Sequence, residues 1–288
     1  MRVKYYFSSR HNRHIENISR QRKKFPDIVT EIISISDIIL EVLDARFPEE
    51  TRNLALEKEI KTRGKKLIFV INKSDLIDKM NKKEELKALN IYPHVFVSCK
   101  QMRGVRELRS KIKMEAKRIE LPTESMRRVQ VGVMGYPNTG KSSLINVLVR
   151  KASARVGAEA GFTKGMQKIK LTSDILILDT PGVIPRSEYS DSDPKALSKY
   201  AKVNARDYSK VRNPDFVVGE LLKEYTESIE KFYGIKTEGN ADLLIHEIGK
   251  RMNFLIKGGG VDEDRAARWI IKDWQNGKIK LKNLSAPK

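Results

Sequence analysis

Gly135-Tyr136-Pro137-Asn138-Thr139-Gly140-Lys141-Ser142 fills every fixed position of the pattern G-x-x-x-x-G-K-[ST]. Those residue types suit one task, the holding of a polyphosphate. Gly135 and Gly140 let the backbone curl until successive N–H groups face a single anionic point. A helix that begins at Lys141 adds the positive end of its dipole to that point. The Lys141 ammonium can reach the outer phosphates, and the Ser142 hydroxyl can ligate Mg²⁺. Tyr136, Pro137, Asn138, Thr139 and Ser143 complete the candidate wall around the nucleotide.

Upstream, Asn72-Lys73-Ser74-Asp75 matches the N-K-x-D signature of GTP-binding domains. The two carboxylate oxygens of Asp75 can accept from both the ring N–H and the exocyclic amine of guanine. Adenine offers no such donor pair, so a carboxylate here discriminates between the bases. Ser98-Cys99-Lys100 is similar to the S-A-K loop that touches guanine O6 through a backbone N–H. Downstream, Asp179-Thr180-Pro181-Gly182 supplies D-x-x-G: Asp179 as the second Mg²⁺ anchor, Gly182 as an N–H donor to the γ-phosphate. Thr163, in a Gly-containing loop over residues 151–165, fits the switch threonine that closes over Mg²⁺. Lys141, Thr163 and Gly182 are thus the candidate catalytic groups, and Ser142, Thr163 and Asp179 the candidate Mg²⁺ ligands.

These motifs need a scaffold that brings them to one edge, and the apolar patterning predicts one. Residues 38–43 (IILEVL), 67–71 (LIFVI), 94–97, 129–134 (VQVGVM), 166–171 and 175–178 read as strands. Helical spacing runs between most of them, over 25–35, 51–62, 86–89, 105–116 and 143–149. Strands alternating with helices, with polar motifs at the strand carboxyl ends, predict a mostly parallel, doubly wound sheet of the P-loop NTPase (Ras-like) type that binds ligands at that edge. Pro122 marks a linker over 118–127. Residues 187–204 are polar and read as a linker or switch segment. Beyond 205 the pattern is helical, with helices over 217–225, 241–252 and 262–274, the last capped from Asp262 or Asp264. The expected division is a basic arm (1–24), a GTPase domain (25–186), a linker (187–204) and a small all-α domain (205–288).

The net charge of +20 is clustered. Residues 1–24 hold eight Lys or Arg against Glu16 alone, and residues 127–170 hold nine against Glu159 alone, so two segments carry +15 of it. Such clustering points to a polyanionic partner. Tyr5, Tyr6 and Phe7 beside Arg10 and Arg13 could stack on bases or dock the arm on the core. His11 and His14 have no further His or Cys cluster to make a metal site. Cys99 is the only cysteine, which excludes an intrachain disulfide and fits a reducing cytoplasm. No apolar run reaches the ~18–20 residues of a membrane span, no signal-peptide core stands at the start, and a monomer is expected.

Motif order is the discriminating feature. Ordinary GTPases run phosphate loop, switch threonine, D-x-x-G, N-K-x-D, S-A-K; here N-K-x-D and S-C-K precede the phosphate loop. The chain therefore resembles the circularly permuted GTPases. Asp44-Ala45-Arg46-x-Pro48 and the segment from Gly259-Gly260-Val261-Asp262 to Gly277-Lys278 are similar to the YlqF/RbgA-type family. The resemblance implies bound GTP or GDP, Mg²⁺, slow hydrolysis of GTP to GDP and phosphate, and work in assembling the large ribosomal subunit through ribosomal RNA. Val183 follows D-x-x-G where Ras-like enzymes carry the Gln that orients water, which is consistent with slow turnover. Bacterial members open with W-F-P-G-H, which this chain lacks, and the water-positioning group stays unassigned between His11, His14 and the ribosome. In family terms Asn138, the Asn of G-x-P-N-x-G-K-S, marks a K⁺ site beside the phosphates, or else only braces its own loop. A P-loop ATPase or kinase would use Lys141 and Ser142 but leave Asp75 idle. An RNA-binding assembly protein with a vestigial site would have no need of Lys141, Ser142 and Asp179.

Overall fold

The structure, a computed structural model, describes residues 30–120, 127–149, 167–179, 194–204 and 206–281. The expected arm, Thr163, Gly182 and Val183 lie outside these residues, as do His11 and His14.

Six strands form one sheet in the order β3-β2-β1-β4-β6-β5. They are β1 (Ile38–Asp44), β2 (Lys66–Asn72), β3 (His94–Phe96), β4 (Val129–Met134), β5 (Gln167–Lys170) and β6 (Ile175–Asp179). Neighbours run parallel except β5, which turns back antiparallel on β6. The strands are covered on both faces, which is why they read as continuous apolar runs. Ile38, Leu40 and Val42 of β1 point to one face, under Leu108 and Ile112 of α5 (Val105–Lys117) and Leu144, Ile145 and Leu148 of α6 (Lys141–Val149). Ile39 and Leu43 point to the other. There they meet Ile32 and Ile33 of α1 (residues 30–35), Ile60 of α3 (Leu54–Thr62) and Leu86 of α4 (Lys79–Ala88). A four-residue turn of helix, α2 (Pro48–Thr51), follows β1.

After β6 the chain enters helices: α7 (Pro194–Lys202), α8 (Pro214–Tyr233), α9 (Ala241–Arg251) and α10 (Glu263–Gln275). Part of the segment read as a polar linker is thus the helix α7, and Tyr200, Ala201 and Val203 are buried. Asp262 caps α10 by accepting from the Arg265 N–H at 3.0 Å. The helices share a core into which two residues of the sheet region insert, Phe47 and Tyr136. Trp274 lies at its centre, 5.9 Å from the Phe47 ring and 4.7 Å from that of Tyr225, with its Nε1–H donated to the Lys202 carbonyl.

One buried group on β1 breaks the apolar pattern. Glu41 is 1 % exposed; its Oε1 accepts from the Asn53 N–H at 2.8 Å, while Oε2 has no hydrogen-bond partner among the described residues. Burial, reinforced by Glu57, pushes its carboxyl up to about 8, against the pull of the Asn53 N–H and Arg52. The folded chain therefore keeps a proton that the unfolded chain releases near 4.5, so stability falls as pH rises from about 4.5 to 8 and is level above. Glu41→Gln should flatten that fall and raise the urea midpoint at pH 8 by the equivalent of ~2–4 kcal/mol. Parallel stability–pH curves for parent and variant would show that Glu41 ionises normally.

Candidate functional site

The carboxyl ends of β2, β3 and β4 carry the three predicted motifs, and the parallel register brings them to one edge. Gly135 to Gly140 leave β4 in a tight curl, with φ of 147° at Gly135, 58° at Asn138 and 99° at Gly140. α6 begins at Lys141, so the loop's N–H groups and the helix dipole converge. The Lys141 ammonium donates to the Tyr136 carbonyl at 2.6 Å, within the same loop.

Hydrogen bonds lock the base loop to the phosphate loop. Asn72, the last residue of β2, donates Nδ2–H to the Thr139 carbonyl at 2.8 Å and receives the Cys99 N–H on Oδ1 at 3.4 Å. One carboxamide thereby joins three separate motifs. The approach is close: a Cβ added at Gly140 would stand 2.2 Å from Asn72 Nδ2, so only Gly fits there. Asp75 lies in a 3₁₀ turn after Lys73, and its Oδ1 accepts from Ser98 Oγ at 2.6 Å. The S-C-K loop thus aims the Asp75 carboxylate. Burial pushes the Cys99 thiol up to about 11, Asn72 opposing and Asp75 adding, so Cys99 is a neutral wall and not a nucleophile at neutral pH.

Two adjoining clefts result. The larger, about 810 Å³, is lined by Asn72, Lys73, Asp75, Cys99, Lys100, Asn138, Gly140 and Ser143 among others. The smaller, about 560 Å³, is lined by Pro137, Asn138, Gly140, Lys141, Ser142 and Ser143. Two loop residues offer the site only backbone. The Tyr136 ring is fully buried in the helical core, and Thr139 is buried with Oγ1 donating to the Tyr136 carbonyl at 2.9 Å. Ser142 lines the smaller cleft and is exposed there. Asp179 ends β6, one strand from β4, while Thr163 and Gly182 lie outside the described residues. A curled loop at a helix N-terminus with a hydroxyl at its mouth fits a Mg²⁺-bound polyphosphate, whose metal would neutralise the phosphate charge. Among the described residues no cluster of three or more His, Cys, Asp or Glu could bind a metal by itself, and no helix is long and apolar enough to cross a membrane.

The residue types alone did not reveal a buried ion pair behind Lys73. Asp44, at the end of β1, accepts from Arg46 Nε at 3.1 Å and Nη2 at 2.9 Å, and from Lys73 Nζ at 2.7 Å. Burial opposes its charge, but the Arg46 guanidinium and Lys73 ammonium outweigh it and hold the carboxyl well below the usual range. Asn204, Gln275 and Asn276 also line both clefts and carried no sequence signal.

A phosphate loop and a guanine-type loop locked at one sheet edge, in permuted order, define a GTP-binding protein with the P-loop fold. Residues 130–245 match the model of the 50S ribosome-binding GTPase family. An uncharacterised GTP-binding protein of Methanocaldococcus jannaschii is 41 % identical over 265 residues, covering 89 % of this chain and 67 % of that protein. The nuclear GTP-binding protein NUG1 of Saccharomyces cerevisiae is 33 % identical over 293 residues, covering 91 % and 56 %. Against several relatives the chain spans about half of their length. The crystal structure of GNP-bound YlqF from T. maritima shares the fold, with a TM-score of 0.61 at 21 % identity over 88 % of this chain and 94 % of that one. The chain belongs to the circularly permuted GTPases of the YlqF/RbgA type.

Proposed function

We propose that the protein binds GTP at the joined clefts, hydrolyses it slowly to GDP and phosphate, and acts in assembly of the large ribosomal subunit. The observation that supports the reading is the Asn72–Thr139 hydrogen bond, which ties the loop that carries Asp75 to the phosphate loop. In it Asp75 selects the base, Lys141 and Gly182 hold the outer phosphates, and Ser142, Thr163 and Asp179 hold Mg²⁺. Asn138, whose Nδ2 donates to the Asn204 carbonyl at 2.8 Å, keeps a side-chain oxygen with which to seat K⁺. A cation there would oppose the charge that develops in transfer, the task of an arginine finger elsewhere.

The RNA partner is supported by the clustered +15 and by the name of the matching family. The basic arm (1–24) and the helical region (205–288) are the segments proposed to meet ribosomal RNA, with the GTPase core over 25–186. Co-sedimentation with each ribosomal subunit, with GDP and with a non-hydrolysable GTP analogue, tests the reading, alongside GTP turnover in K⁺ and Na⁺. Large-subunit binding that depends on the nucleotide, with faster turnover in K⁺, is the expected result. Each phosphate neutralised should add ~0.7–0.9 to the slope of log affinity against log salt, and removing residues 1–24 should flatten that slope. Equal recovery with both subunits in every nucleotide state would refute the assignment.

A further inference from the structure

The last turn of α10 and the residues just after it reach the nucleotide site by three routes. Trp274 offers its carbonyl to Arg46 Nη1 at 3.0 Å, and Arg46 leads through Asp44 to Lys73 of the base loop. Gly277 packs on the turn that carries Asp75: a Cβ added to it would stand 2.6 Å from Leu76 Cδ1. The third route runs through Gln275, which is 8 % exposed. Its Nε2 donates to the carbonyls of Ala201 at 3.0 Å and Arg206 at 2.9 Å, and its Oε1 accepts from the Tyr208 N–H at 3.1 Å. One buried carboxamide therefore sets the course of the chain between α7 and α8. At the apex of that course stands Asn204, with φ of 62°, and its carbonyl receives Nδ2 of Asn138. Asn138 is itself at φ 58°, a left-handed conformation that Asn adopts more readily than most other non-glycine residues.

We infer that Gln275 is a positioning residue for the phosphate loop, acting through Asn204 on Asn138, so that nucleotide binding is coupled to the seating of the end of α10 against the chain between α7 and α8. The inference rests on the nucleotide reading above and adds a residue to it. Such coupling is reciprocal: what the helical region does to nucleotide affinity, the nucleotide does to the helical region. Any partner that shifts α10 would then alter nucleotide retention without touching the phosphate loop.

The test uses the whole chain and a fluorescent GDP. Gln275→Leu removes the three hydrogen bonds and should speed GDP release about ten-fold, inside the usual range of coupling between sites. Leu244→Ala opens a cavity in the same helical core, in α9, and should lower thermal stability while leaving release unchanged. Asn138→Ala should speed release as well, and the Gln275→Leu, Asn138→Ala double variant should match that single variant, because both act at one bond. In the parent, added GDP should slow hydrogen exchange of the amides between Val203 and Tyr208, a readout that needs no variant to fold. Parent-like release from Gln275→Leu, additive effects in the double variant, or exchange unmoved by GDP would overturn the inference. A parent chain that binds no guanine nucleotide would instead overturn the nucleotide reading itself.

Discussion

Asp75→Asn is expected to lose GTP affinity by a factor on the order of 10⁴, the discrimination reached when a site built for paired hydrogen bonds meets the wrong partner. The same variant should gain xanthine nucleotides. Guanine presents two donors to the carboxylate, whereas xanthine presents a donor and a carbonyl, which match the oxygen and amide of Asn. The side chain should keep its aim, because Ser98 Oγ can still donate to its oxygen as it does to Asp75 Oδ1, at 2.6 Å. Competition of GTP, XTP and ATP against a fluorescent nucleotide reads the outcome. GTP binding equal to the parent's would remove the guanine assignment, and ATP binding in the parent would restore the kinase or ATPase reading.

The second large effect is expected at Asp44. Its side chain is 0 % exposed and that of Arg46 is 2 % exposed, so Asp44→Asn strands a guanidinium away from water and unpairs the Lys73 ammonium. Breaking one side of a buried pair costs about 3–5 kcal/mol, several times what a surface pair contributes. A change of that size should lower the melting temperature by roughly 10 °C in a chain of this length. Because the folded carboxyl titrates below its unfolded value, the contribution is complete above the ordinary carboxylate range and is lost as pH falls through and below it. Acid unfolding of the parent should therefore be steeper than that of the variant. Replacing Asp44 and Arg46 together by Leu and Met should recover part of the loss, and a melting temperature unmoved by Asp44→Asn would show that the pair is not buried in solution.

Most of the sheet, and the meeting of the phosphate loop with N-K-x-D, was legible because local chemistry and global position agree there. Continuous apolar runs gave β1, β2 and β4, since strands covered on both faces have no polar side to interrupt the pattern. The phosphate loop and N-K-x-D were legible because their chemistry needs fixed residue types at fixed spacing. Glu41 was invisible as a charge problem: one carboxylate in IILEVL leaves the strand pattern intact, and its burial depends on α3. The helix over 194–202 was missed because Lys and Ser are interleaved with its apolar residues, and the burial of Ala201 makes sense only against the helical core that α8 also lines. Gln275 carried no signal at all. A single amide in a helix becomes informative only when the chain 70 residues earlier is found against it.

The strand order has a consequence for how the chain is made. A ribosome delivers β1, β2 and β3 first, and these three are contiguous in the sheet, with α3 and α4 as crossovers. β1 is central, however, and its second edge pairs with β4, which follows some eighty-five residues after β1 ends. During synthesis the base-recognition half therefore emerges complete in strands but with one long apolar edge open, the kind of edge that invites wrong pairing. In a GTPase of ordinary motif order the phosphate-loop strand comes first. Here it follows β1, β2 and β3, and its arrival closes the open edge and assembles the two halves of the pocket in a single step.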